Sequence, residues 1–135
     1  MVRISVFFPL SLSTGLLIAP MAIADGHDGL PHAFEAGWKG EDTCEVLFEN
    51  EEVTVGRCTF TPGIGHEKHY HNPHFGYTLQ GGTTFRITDA SGTQELEIPT
   101  GTTWSTDEMT VHEAVNIGGA TASYLIVEPK PSHGK

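Results

Sequence analysis

The chain has 135 residues, room for one domain or for one domain behind a processed leader. Its 17 acidic residues outweigh 7 basic ones, a formal charge of −10, which argues against a phosphate-tracking nucleic-acid binder and against docking on anionic lipid. An apolar share of 38% supplies one modest core, while 16 Gly and 8 Pro suit a turn-rich, strand-rich chain better than a helical bundle, and eight His are the first hint of chemistry.

Residues 1–24 read as a secretory signal peptide: Arg3 gives a positive start, Ile4 to Ile18 a short apolar run, and Pro20 a break. Ala22-Ile23-Ala24 then offers the small-x-small pattern cut by signal peptidase. An N-terminal membrane anchor is the alternative, but the run is short and interrupted by Ser11, Ser13 and Thr14. Export predicts a periplasmic or secreted protein, Asp25–Lys135, with no membrane association after cleavage. The new terminus, Asp25-Gly26-His27, would carry an amine, two backbone amides and a third-position imidazole, a square-planar nitrogen set suited to Cu(II) or Ni(II). A histidine-containing tail without a role is the competing reading. Residues 25–43, polar and rich in Gly and His, read as a flexible N-terminal arm.

From Cys44 the chain reads as strands separated by turns. Cys44 to Arg57 suggests a hairpin turning near Asn50-Glu51-Glu52, and about that centre Cys44 faces Cys58 across the strands. In an oxidising compartment the two can form a disulfide, worth on the order of 3 kcal/mol for a loop of about 15 residues; two buried free thiols are the alternative. Val53, Val55, Cys58 and Phe60 mark the next strand, which Pro62-Gly63 ends. Phe75 to Leu79 is an apolar run, and Gly81-Gly82 reads as a two-residue hairpin turn leading into Thr83–Thr88. Turns at Asp89-Ala90-Ser91-Gly92, Pro99-Thr100-Gly101 and Gly118-Gly119 separate further short strands around Leu96–Ile98, Thr102–Ser105, Thr110–Ile117 and Ala122–Val127. This spacing predicts an all-β barrel or sandwich.

Between Gly63 and Gly82 stand His66, His69, His71 and His74. Residues i and i+2 of a strand face one way, so His69 and His71 can converge on one ion from a rigid sheet face. Neutral imidazole suits Zn, Cu, Fe and Ni. His112 lies in a distant strand with turn signals on both sides.

These residues resemble the cupin motifs. Gly63, His69 and His71 fit Gly-x5-His-x-His-x3–4-Glu-x6-Gly, and Gly101, His112 and Asn116 fit Gly-x5-Pro-x-Gly-x2-His-x3-Asn, with Asp107 and Met109 in the inner Pro and Gly slots. The resemblance spans about Val53 to Val127 and implies a small cupin-type β-barrel, a double-stranded β-helix or jelly roll, over residues 44–129 with a tail at 130–135. The Glu slot falls on Phe75 with strict spacing, or on His74 one residue earlier; Phe75 cannot bind a metal and His74 can. The implied site is then His69, His71, His74 and His112, without a carboxylate, around one divalent transition metal (Fe, Zn, Mn, Ni or Cu).

Phe75, Tyr77, Phe85 and Trp104 are candidates for lining a pocket, with plain barrel core as the alternative. His66 reads as solvated on the approach loop, Tyr70 as packed outward, Glu113 as facing away from the site, and Asn116 as serving its turn. The cupin resemblance implies an exported metalloenzyme of the dioxygenase, lyase or isomerase class acting on a small organic acid or phenolic compound. A non-catalytic periplasmic metal-binding or small-ligand-binding cupin is the alternative. Pairing of two copies is common among cupins, but no segment here singles out a homodimer interface.

Overall fold

The computed structural model describes residues 27–131, and among them there are strands and turns but no helix. Two short strands, β1 (Gly37–Trp38) and β2 (Glu41–Asp42), precede nine longer ones: β3 (Cys44–Glu49), β4 (Val53–Phe60), β5 (Gly65–His71), β6 (His74–Gln80), β7 (Thr83–Asp89), β8 (Gly92–Ile98), β9 (Thr103–Thr106), β10 (Thr110–Asn116) and β11 (Ala122–Pro129). They form a four-stranded sheet, β5-β10-β7-β8, and a five-stranded sheet, β3-β4-β11-β6-β9. All strand pairs are antiparallel, and from β4 onward the chain passes repeatedly from one sheet to the other, as a rolled barrel requires.

The core sits at one end of the barrel. Cys58 and Phe60 from β4, Phe85 from β7, Ala114 from β10 and Ala122 from β11 are all buried and in contact. Phe60 packs edge-on against Phe85 (5.7 Å between ring centroids) and stacks on Tyr124 (5.3 Å). Asn116 ties this end together: its Nδ2 donates to the carbonyls of Phe60 (2.9 Å) and Ala120 (2.7 Å), and its Oδ1 accepts from Thr83 Oγ1 (2.7 Å) and the Gly118 amide (3.1 Å). Asn116 thus serves its turn and also crosslinks three strands.

The β3–β4 hairpin turns at Asn50, whose side-chain oxygen accepts the amides of Glu52 and Val53 (both 2.8 Å). Cys44 and Cys58 stand directly opposite and are disulfide-bonded, with Cα atoms 4.0 Å apart.

Two readings of the chain are corrected. Gly81-Gly82 is not a hairpin turn: β6 pairs with β11 and β9, whereas β7 pairs with β10 and β8. The pair instead carries the chain between sheets, Gly82 with φ +82° and Gly81 so close to the Ile98 carbonyl that a Cβ would collide. The described part of the expected flexible arm, residues 27–43, is packed on the barrel. Ala33 and Ala36 are buried, the Ala33 amide donates to the Tyr70 carbonyl (2.9 Å), and the Phe34 ring covers Gly56. Polar composition concealed three small or apolar anchors that dock between β4 and β5. Asp25 and Gly26, like the proposed leader and the last four residues of the tail, lie outside the described residues.

Candidate metal centre

Strand alternation places His69 and His71 on the inner face of β5, where both are buried. His112 is the direct cross-strand partner of His69 on β10. His74 opens β6 and is also buried. Three of the rings converge, with centroid separations of 4.7 Å for His69–His71, 4.7 Å for His69–His112 and 5.1 Å for His71–His112, and the His74 ring lies beside that of His71 at 4.5 Å. One donor atom each from His69, His71 and His112 lies within 4.8 Å of the others.

Backbone carbonyls set the tautomers. His69 Nδ1–H donates to the Glu67 carbonyl (2.6 Å) and His74 Nδ1–H to the Asn72 carbonyl (2.8 Å), which leaves each Nε2 with a free lone pair. His71 Nδ1–H points to Glu128 Oε1 (3.4 Å), and its Nε2 stands 2.9 Å from Nε2 of His69. Two ligands at a right angle on one ion, with bonds of about 2.0–2.1 Å, would be roughly 2.9 Å apart. The donor set therefore fits a transition ion in spacing, orientation and tautomer.

Burial keeps His69, His71 and His112 in the neutral form that binds metals. It holds His69 far below the usual histidine range, and the neighbouring imidazoles push the same way. His71 is lowered to about 4, mainly by burial, with the Glu128 hydrogen bond opposing. His112 is lowered to about 4 by burial and by His74, with Asp89 opposing.

Sequence reasoning missed two members of the cluster. Glu128, on the inward face of β11 two residues after buried Ile126, brings a carboxylate to a site expected to have none. It accepts from His32 Nε2–H (2.7 Å), His71 Nδ1–H (3.4 Å) and Asn72 Nδ2 (3.4 Å), and forms a second convergent set with His71 and His74. Burial would raise the Glu128 carboxyl, but the His32 and His71 hydrogen bonds prevail and hold it at about 2. The period-2 pattern from Ile126 was the available signal. His66 is the second correction: it is fully buried on β5, not solvated. A register shift between β5 and β10 turns it to the same side as His69, against which its ring lies at 3.7 Å between centroids. Its Nε2–H donates to the Ala33 carbonyl (2.8 Å), and burial lowers it to about 4.

Above the cluster opens a cavity of about 430 Å³, lined by His71, His74 and His112 together with Phe85, Trp104, Tyr124 and other apolar groups. Gly76 makes room for the Trp104 ring, since any Cβ there would enter the indole. Phe75 and Tyr77, expected as lining, instead point outward from β6 and are exposed, because the inward parity of that strand runs His74, Gly76, Thr78. Glu113 does not line the cavity. Tyr70 faces away, against the rings of His27 (4.6 Å) and His32 (5.2 Å).

No family model and no curated protein matches the sequence. Solved structures do. A cupin domain from Bordetella pertussis Tohama I is 20% identical with a TM-score of 0.60, covering 65% of this chain and 92% of that one. A cupin superfamily protein from Desulfitobacterium hafniense DCB-2 is 15% identical with a TM-score of 0.52, covering 65% of this chain and 76% of that one. The polyketide cyclase RemF from Streptomyces resistomycificus is 19% identical with a TM-score of 0.54, covering 81% of this chain and 80% of that one. The chain has the cupin fold, the all-β jelly roll expected from its motifs.

Proposed function

We propose that this chain is an exported metal-dependent cupin that acts on a small organic molecule, as an oxygenase, lyase or isomerase. The observation that carries the reading is the junction of a convergent imidazole set with a cavity: His71 and His112 belong to the donor cluster and also line the 430 Å³ chamber. A divalent transition ion bound by His69, His71 and His112, with His74 beside them, would supply a Lewis acid or a redox centre at the chamber floor. The protein's part is to present unprotonated Nε2 atoms, to accept the His71 Nδ1–H on Glu128, and to surround the site with largely apolar walls. The likeness to RemF, a polyketide cyclase, is consistent with small-molecule chemistry on this fold.

A non-catalytic metal-binding role is the second reading, favoured by a second convergent set, His71, His74 and Glu128, beside the first. Elemental analysis of protein from the exported fraction tests the metal. One equivalent in wild type, lost in both His69→Ala and His112→Ala, is expected; none in wild type after reconstitution overturns both readings. Exchangeable water on the bound ion, read by relaxation of solvent protons with Mn(II), is expected for the enzyme, and its absence favours storage. Mass analysis of the mature N-terminus, expected at Asp25, tests export.

A further inference from the structure

We propose that His32, in the segment that precedes the barrel strands, is a positioning residue of the metal centre: it fixes the Glu128 carboxylate and, through it, the ring of His71. This rests on the reading of His69, His71 and His112 as ligands of one ion, and adds to that set a residue that touches none of them.

The segment is built onto β5 between two of the ligands. His32 bridges in parallel to Tyr70, the residue that separates His69 from His71. The Tyr70 amide donates to the Pro31 carbonyl (3.1 Å), and the Ala33 amide donates to the Tyr70 carbonyl (2.9 Å). From this anchor the His32 ring passes edge-on to the Tyr70 ring (5.2 Å between centroids) and reaches Glu128. The Phe34 amide donates to His32 Nδ1 (3.2 Å), which places the ring proton on Nε2, and Nε2–H donates to Glu128 Oε2 (2.7 Å). The other oxygen, Oε1, accepts from His71 Nδ1–H (3.4 Å). Asn72 Nδ2 also donates to Oε2, but at 3.4 Å, so the His32 bond is the shortest that the carboxylate makes. A hydrogen bond to an ionised acceptor is among the stronger ones, and this one sets where the carboxylate stands. His32 and Glu128 both line a hollow of about 280 Å³ on the outer side of the barrel. Without the imidazole the carboxylate faces that hollow, water competes for it, and its hold on the His71 ring loosens. The next residue supports a second ligand: the Ala33 carbonyl accepts His66 Nε2–H (2.8 Å), and the His66 ring packs on that of His69 at 3.7 Å.

Zinc affinity, measured by competition with a chelator of known affinity, tests the role. His32→Leu is expected to bind zinc about tenfold more weakly than wild type, and His32→Asn, polar but too short to reach Glu128, to repeat the loss. His32→Gln, whose amide can donate from near the Nε2 position, is expected to restore most of it. In a Glu128→Ala background His32→Leu should cost nothing further, because its route to the ion is gone. Phe34→Leu, which loosens the same segment over Gly56 without touching the carboxylate, should lower the urea midpoint and leave zinc affinity unchanged. Wild-type affinity in His32→Leu, no recovery in His32→Gln, an equal loss in the Glu128→Ala background, or an equal loss in Phe34→Leu overturns the proposal. Imidazole nitrogen NMR of the metal-free protein gives a readout without zinc. The His71 ring proton is expected on Nδ1 in wild type and His32→Gln, and shared between both nitrogens in His32→Leu; an unchanged His71 ring in His32→Leu overturns the proposal too. A wild type that binds no zinc refutes the metal reading alone, and the His71 proton then decides for or against His32.

Discussion

Glu128 is the residue whose chemistry differs most from its position in the sequence. It stands near the end of an apolar strand, at the edge of the span read as the barrel, yet it is buried and accepts hydrogen bonds from His32, His71 and Asn72. Its carboxylate orients His71 and makes that ring a stronger donor, as carboxylate partners of metal-binding histidines do. Glu128→Gln should therefore weaken metal binding roughly 10- to 100-fold without abolishing it, as measured by competition with a chelator of known affinity. His74→Ala should also bind more weakly but keep its stoichiometry, because the His69, His71 and His112 set stays complete. Loss of all metal in His74→Ala would instead make His74 an obligatory ligand.

At the level of strands, much was legible because a half-buried strand writes its faces into alternate residues. His69 and His71 lie on one face, and the hairpin arithmetic around Asn50 paired Cys44 with Cys58. What alternation cannot show is a slip in register or a change of sheet. The shift between β5 and β10 turned His66 inward, and Gly81-Gly82 carries the chain between sheets while looking like a tight turn. Phe75 and Tyr77 drew attention as aromatics, but the parity of β6 gives the inside to His74, Gly76 and Thr78. Gly76 is inside because Trp104 needs its space. Gly76→Ala should therefore destabilise the protein by about 1–3 kcal/mol, the usual cost of overpacking, and should displace the Trp104 ring from the chamber wall. Urea denaturation checks the first effect and the Trp104 indole signal the second; an unchanged denaturation midpoint would mean that the indole moves aside freely.

For the whole molecule, the histidine cluster couples folding to pH. His66, His71 and His112 titrate near 4 in the folded chain and His69 lower still, whereas exposed histidines titrate near 6.5. Between those values the unfolded chain binds protons that the folded chain refuses, so acidification favours unfolding. Stability of the metal-free protein should be fully present above pH 6.5 and fall as the pH drops toward 4. One group lowered from 6.5 to about 4 accounts for roughly 3 kcal/mol over that interval. Glu128 extends the loss: its carboxyl is held at about 2 against 4.5, so its contribution is present above 4.5 and disappears as the pH falls toward 2. The disulfide does not titrate in this range and sets a floor under the curve, since opening Cys44–Cys58 should remove a further 2–4 kcal/mol at any of these pH values. Denaturation midpoints between pH 4 and 8, with and without reductant, check both statements. A flat profile for the oxidised, metal-free protein would mean that the imidazoles are hydrated in the folded chain and take up protons as readily as they do when it is unfolded, so that burial does not preform the neutral donor set.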